Sequence, residues 1–209
     1  MFAEIETRPV WVRGSGVPGI GVASLPCASP AHATAWVDHH HGWGRFIASE
    51  YLPGDNLTWL CLWNRGTLVC SQSRRRVSYV IPHVSPSGIA GAPAVSHTIR
   101  RQDVNEIGEA AMRAIDKAPH GVFFLDFKCD AKGSPRVTEV NAGRFGTTPP
   151  HFYAKAGFNV VQVLVRLAYG EDAGTVTGFD VLPADLYWIR TLDCGSVLIS
   201  ADEIPTCPA

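Results

Sequence analysis

The segment from Gly121 to Asn141 restricts the fold more than any other stretch of the chain. Gly121 to Asp130 and Pro135 to Asn141 are strand-like runs, and Ala131-Lys132-Gly133-Ser134 between them carries a glycine where a tight turn needs one. In the first run Phe123, Leu125 and Phe127 alternate with Asp126 and Lys128, so one face is apolar and the other polar. The same alternation puts Glu139 and Asn141 on one face of the second run. A turn centred between Lys132 and Gly133 sets Asp126 directly opposite Glu139, with Cβ atoms about 4.5–5.5 Å apart. Two carboxylates that close repel unless a cation lies between them. Two acids and an amide form an oxygen donor set suited to Mg²⁺, which keeps its remaining positions for water and substrate phosphates. The pattern equally describes a solvent-facing polar face on an ordinary antiparallel hairpin, and the remaining sequence has to separate the two.

The remaining elements are short. Strand-like runs fall at Pro9 to Arg13, Ile20 to Leu25, Arg45 to Leu52, Leu57 to Trp63 and Thr67 to Ser71. Pro53-Gly54-Asp55-Asn56 and Asn64-Arg65-Gly66 punctuate them as turns. Ser29 as N-cap with Pro30 at the first helical position predicts a helix to about His40. Asp103 followed by Glu106 resembles a capping box opening a helix to about Lys117, its buried stripe being Val104, Ile107, Ala111, Ala114 and Ile115. Another helix is expected over Val160 to Tyr169, ended by Gly170, and a last strand pair over Asp185 to Leu192 and Ser196 to Ser200. Pro82 to Pro93, rich in Pro, Gly and Ser, reads as a long loop. The pattern is α+β, with antiparallel sheets and helices packed on them.

Composition narrows the partners. With 209 residues, 46% of them hydrophobic and 18% charged, the chain can build one good core or two small lobes. A formal net charge of −1 argues against nucleic acid or an anionic membrane as the main partner, so an anionic ligand has to be held by local charges. Met1 to Thr7 has no apolar signal region and no run approaches a membrane span, which makes the cytoplasm the expected location. Six scattered cysteines without a C-x-x-C pair read as reduced thiols. His39, His40 and His41 point in different directions at a helix end and read as a polar terminus rather than a metal site. Arg74 and Arg75 read as part of a solvated charged face. Arg13-Gly14-Ser15-Gly16-Val17-Pro18-Gly19-Ile20-Gly21 is a glycine-rich loop entered by a cation, lacking both the Walker ending and a following helix. It fits a cover over phosphates or a plain hairpin loop.

Several motifs in order resemble the ATP-grasp superfamily. Glu50-Tyr51-Leu52-Pro53-Gly54 looks like the interlobe hinge that meets the adenine edge, and Thr138-Glu139-Val140-Asn141-Ala142-Gly143-Arg144 like the acid, asparagine, arginine signature preceded by Asp126. Ile81-Pro82-His83, Ser87-Gly88-Ile89 and Gly91-Ala92-Pro93-Ala94-Val95-Ser96 are similar to proteins related to the large chain of carbamoyl phosphate synthase. The similarity runs from about Pro9 to Glu171. It implies two α+β lobes with antiparallel sheets around a nucleotide cleft, residues 1–52 forming the smaller lobe and 53–209 the larger.

By position, the resemblance places Arg13, Gly14, Ser15, Gly16, Gly19 and Gly21 at the phosphates and Glu50, Tyr51 and Leu52 at the adenine. Asp55 and Asn56 compete for the ribose. On the same resemblance Asp126, Glu139 and Asn141 would hold Mg²⁺ or Mn²⁺, Arg144 would face the transferred phosphoryl group or the acyl phosphate, and Arg76 would reach into the same cleft. The implied activity is an ATP-dependent ligase that activates a carboxylate as an acyl phosphate for attack by an amine, in the manner of carbamoyl phosphate synthase. The alternative is a non-catalytic ATP-binding subunit. Relatives carry a further α/β domain ahead of this region, so a fragment, or a partner chain supplying that domain, is expected; a homodimer is compatible with the sequence.

Overall fold

The computed structural model describes residues 9–15, 21, 23–88, 91–146, 149–174, 178–191 and 195–204. The chain divides into two compact units, Met1–Pro53 with Tyr79–Ala92, and Gly54–Ser78 with Pro93–Ala209. The sequence boundary at residues 52/53 lies beside this one, but Tyr79–Ala92, assigned from the sequence to the larger lobe, groups with the first unit.

In the first unit, β1 (Val10–Gly14) is the central strand of a three-stranded sheet, flanked antiparallel by β2 (Ser24–Cys27) and β3 (Phe46–Glu50). Strand β2 starts later than the apolar run at Ile20 predicts; Ile20 itself lies outside the described residues. Helix α1 (Pro30–His39) begins as predicted, with the Ser29 hydroxyl accepting from the His32 backbone N–H at 3.2 Å. Its Ala33 and Val37 pack on Val10, Val12 and Cys27. Alternation along β1 therefore turns Arg13 to the face away from α1. The predicted polar helix end is an aromatic cluster: His39 stacks on Trp36, and His40 meets Trp36 edge-on.

The second unit is a seven-stranded sheet with order β10-β9-β6-β5-β4-β7-β8. These strands are β4 (Asn56–Asn64), β5 (Thr67–Tyr79), β6 (Pro93–Ile99), β7 (Gly121–Cys129), β8 (Pro135–Ala142), β9 (Leu186–Arg190) and β10 (Ser196–Ser200). Strand β5 continues well past Ser71, where the sequence reading ended it, through all three consecutive arginines. Strand β6 begins at Pro93, where the stretch read as loop ends, and neither it nor helix α3 (Pro149–Lys155) is predicted by the sequence pattern.

Each face of this sheet has its own core. Helices α3 and α4 (Val160–Ala168) cover one, packing Phe152, Tyr153, Val160 and Val163 on Leu60, Leu62, Val122, Phe124 and Trp188. Helix α2 (Gln102–Ile115) covers the other with Val104 and Met112 against Leu57, Trp59, Leu125 and Phe127. Gly108 lets α2 approach closely, since a Cβ there would sit 2.7 Å from the Trp59 ring. Asp103 is not the N-cap: Arg101 holds that position without a side-chain cap, and Asp103 lies in the first turn, ion-paired with Arg101. A carboxylate there still complements the helix dipole. The stripe is rotated from the expected one, because Asn105 and Gly108 face the sheet while Ala114 and Ile115 are exposed. The described cysteines, Cys27, Cys61, Cys70 and Cys129, are buried free thiols. Among the described residues no helix is long and apolar enough to cross a membrane.

Candidate functional site

The candidate site lies on the face of the large sheet that α3 and α4 cover in part. Cross-strand partners share a face, and pairing aligns three rungs across β5, β4, β7 and β8. They are Arg76–Asn56–Lys128–Arg136, Arg74–Thr58–Asp126–Glu139 and Gln72–Leu60–Phe124–Asn141. Successive rungs are two residues apart on β4, so all three project to the same side. The third rung leads into the apolar core, and the first two form a polar field beside it.

Asp126 does lie opposite Glu139, by a different route from the one the turn alone suggested. The turn is centred on Lys132, with the Asp130 N–H donating to the Ser134 carbonyl at 2.9 Å, and pairs Lys128 with Arg136 and Phe127 with Val137. A register shift between Asp126 and Phe127 then skips Thr138, whose hydroxyl donates to the Asp126 carbonyl oxygen at 3.0 Å. Without that bulge Thr138 would face Asp126; the extra residue re-aims Glu139. At the entry to β4, Gly54 N–H donates to Cys129 O at 2.9 Å, and a Cβ on Gly54 would lie 2.8 Å from the Cys129 Cβ. Only glycine lets this turn lie so close to the end of β7.

The cations on this face engage the acids. Arg76 pairs with Asp126 through Nη2 and Oδ1. Arg144 donates to Asn141 Oδ1 at 3.1 Å. Glu139 is exposed and has no ion pair or hydrogen bond among the described residues. Asp55 pairs with Arg75 at 2.8 Å, whereas Asn56 stands in the rung with Arg76 and Lys128. Burial is the main reason that the Asp126 carboxyl titrates above its usual range; Arg76 opposes the shift and Glu139 adds to it. Burial likewise lowers the Lys128 ammonium, against the pull of Asp55.

A raised carboxyl pKa in the folded chain means that the folded state binds this proton more tightly than the unfolded state does. Its contribution favours folding at low pH and is lost as pH rises through the folded value. In metal-free protein, Asp126→Asn is therefore expected to melt above the parent at pH 7, with the gap closing below about pH 4, where the parent carboxyl is protonated. Thermal melts at the two pH values check this, and a gap of equal size at both would exclude the titration as its cause.

Arg74 departs most from the sequence reading. Far from lying on a solvated face, it is 1% exposed. Its Nε donates to Thr58 Oγ1 at 2.6 Å, and its guanidinium carbon lies 5.0 Å from the Trp188 ring centroid and 5.4 Å from that of Phe124. Alternation from Arg76 was the signal that could have placed it on the site's face; Lys128, two residues from Asp126, follows by the same rule.

The first unit carries the other sequence-predicted residues. Ser15 N–H donates to Arg45 O at 2.6 Å, and the Gly21 carbonyl accepts from the buried Ser85 hydroxyl at 2.9 Å. Gly16 and Gly19 lie outside the described residues. Glu50 closes β3 opposite Val10, and Tyr51 packs on Trp11 with centroids 6.4 Å apart. Leu52 follows, half-buried.

The donor set fits a divalent cation with open coordination positions. Among the described residues no group of three or more His, Cys, Asp or Glu side chains could hold a metal ion, so a cation here would rest on two carboxylates and an amide. Two opposed carboxylates and an amide on one face leave room for water and phosphate oxygens, the arrangement Mg²⁺ favours.

No protein-family model and no curated protein matches the sequence. Solved structures do. The biotin carboxylase domain of Hydrogenobacter thermophilus 2-oxoglutarate carboxylase, in complex with MgADP, ADP and bicarbonate, is similar over 90% of this chain and 41% of its own, with 15% identity and a TM-score of 0.64. L-Amino acid ligase from Bacillus licheniformis is similar over 90% of this chain and 46% of its own, with 16% identity and a TM-score of 0.60. Phosphoribosylamine–glycine ligase from Thermotoga maritima is similar over 91% of this chain and 50% of its own, with 13% identity and a TM-score of 0.61. All three are ATP-grasp enzymes, and this chain has the ATP-grasp fold. It spans half or less of the length of these structures.

Proposed function

We propose that the chain binds ATP with Mg²⁺ on the polar rungs of its large sheet and activates a carboxylate for attack by an amine. The observation that carries this is the pairing of Asp126 with Glu139, one rung from Asn141, on a face that also presents Arg76 and Lys128. Acids alone would bind a cation; acids interleaved with cations suit a cation and a polyphosphate together. The fold and the MgADP in the carboxylase complex support the same reading.

Asp126, Glu139 and Asn141 would hold the metal, which when bound neutralises charge on the phosphate oxygens. Arg76 and Arg144 would steady the γ-phosphoryl group as charge spreads over its equatorial oxygens. The substrate carboxylate oxygen forms a bond to the γ-phosphorus while the bond to ADP breaks. The amine nitrogen then attacks the acyl carbon of the resulting acyl phosphate, phosphate leaves, and the amine gives up a proton. No side-chain nucleophile is needed. Asp55 or Asn56 for the ribose, Glu50 to Leu52 for the adenine, and Arg13 with the following glycines for the phosphates are assigned by sequence position. Bicarbonate, which would give carboxyphosphate as carbamoyl phosphate synthase does, and amino acids are the carboxylates to try first, since the similar structures include a bicarbonate complex and an amino acid ligase.

Calorimetric titration with a non-hydrolysable ATP analogue, with and without Mg²⁺, tests the reading without assuming a substrate. Binding strengthened by Mg²⁺ is expected, followed by ADP release on adding a suitable carboxylate and amine. Absence of binding overturns the site; Mg²⁺-dependent binding with no ADP release across the screen would leave a nucleotide-binding module.

A further inference from the structure

Arg74 has no place in the chemistry above, because a side chain 1% exposed cannot touch a ligand. It is nevertheless a full positive charge in the same rung as Asp126 and Glu139, with only Thr58 between it and Asp126. The Phe124 and Trp188 rings and the hydrogen bond to Thr58 help to hold it there. Arg76 and Lys128 are long side chains only partly buried and can swing toward or away from a ligand. Arg74 is packed between two rings and closed off from solvent, and guanidinium remains charged at any working pH. Below the solvent-facing polar field Arg74 is thus a buried cation, set in surroundings that screen it less than water would.

A fixed positive charge acts in opposite directions on the two ligands that the proposed function requires. It repels a bare divalent cation from the Asp126–Glu139 pair and attracts a polyphosphate. We propose that Arg74 is a positioning residue that weakens the site for free Mg²⁺ and strengthens it for nucleotide phosphate, so that the metal enters with the nucleotide rather than ahead of it. The inference rests on the metal and nucleotide site described above.

The test compares Arg74→Met, which keeps most of the volume between Phe124 and Trp188 but removes the charge, with Arg74→Lys, which keeps the charge. Each full-length chain is titrated with Mg²⁺ alone and with the non-hydrolysable ATP analogue in the absence of metal. Arg74→Met is expected to bind Mg²⁺ about tenfold more tightly and the metal-free analogue about tenfold more weakly, with Arg74→Lys close to the parent in both. Opposite shifts are the diagnostic, because damaged packing would weaken both ligands together. Parallel losses, or no change, in Arg74→Met while the parent binds both probes overturns this proposal alone. A parent that binds neither probe overturns the site reading and this proposal with it. Should Arg74→Met unfold, Arg74→Gln repeats the measurement; failure of both neutral variants to fold would assign Arg74 to stability and overturn the proposal.

Discussion

The double variant Glu139→Ala, Asn141→Ala is expected to abolish the Mg²⁺ dependence of nucleotide binding while the chain stays folded. Glu139 is exposed and Asn141 half-buried, both on β8, an edge strand of the sheet. Removing them opens no core cavity, so the melting temperature should move by no more than about 2 °C. The loss in affinity should be far larger. Changing groups that merely orient metal ligands costs about 10–100-fold, and here two of three proposed ligands disappear, so a drop of at least about 100-fold in Mg²⁺-dependent affinity is the expected scale. Residual metal-independent binding should survive, because Arg76 and Lys128 remain. Calorimetry with the ATP analogue and a thermal melt of the same preparation settle it; unchanged Mg²⁺ dependence in a folded double variant would remove the metal from this hairpin.

That hairpin was also the part of the chain most legible in the sequence. Alternation of Phe123, Leu125 and Phe127 with Asp126 and Lys128 is a local signal, and a strand's two faces follow from local geometry. Yet the facing of Asp126 by Glu139 depends on a bulge at Thr138 that no pattern announced. Two offsets, one in the turn centre and one in the bulge, cancelled. Helix α1 was legible for a comparable reason, since Ser29 and Pro30 act within one turn. The capping motif at Asp103 misled because an acid in a first helical turn and an acid at the N-cap look alike in sequence; Asp103 pairs with Arg101 instead of capping.

The three consecutive arginines show where local signals fail. Charge runs usually stay in water, and nothing in the sequence around Arg74 provides its surroundings. Phe124 comes from β7 and Trp188 from β9, both far away along the chain, and Thr58 from β4, the adjoining strand. Burying one guanidinium and leaving its neighbours half in water is a tertiary decision that alternation could hint at but not enforce. Strand β6 was missed for a related reason, because Pro93 and the glycines before it punctuate the run more loudly than Val95, Thr98 and Ile99 extend it.

On the opposite face of the same sheet, Asn105→Ala should be the most destabilising single change considered. Asn105 is buried on α2 and joins elements distant in sequence. Its Oδ1 accepts from Trp59 Nε1 at 2.8 Å and from the Ser73 hydroxyl at 3.3 Å, and its Nδ2 donates to Asp180 Oδ2 at 2.7 Å. The other Asp180 oxygen accepts from the Ser73 N–H at 2.8 Å. Alanine would leave the indole N–H without its acceptor and take from a buried carboxylate one of the donors that offset its desolvation. Each unsatisfied group costs about 1–3 kcal/mol, more when charged, so a loss of roughly 3–5 kcal/mol and a fall of about 10 °C in Tm are expected. Asn105→Asp sharpens the test, because at neutral pH it sets a second carboxylate against Asp180 and should be at least as damaging. Protonation below about pH 4 restores a donor and should recover part of the loss relative to the parent. Trp59, Ser73 and Asn105 all lie on the side of the sheet away from Arg74 and Asp126. Nucleotide affinity measured well below the melting temperature should therefore stay within about twofold of the parent, and a large change there would mean that the two faces of the sheet are coupled.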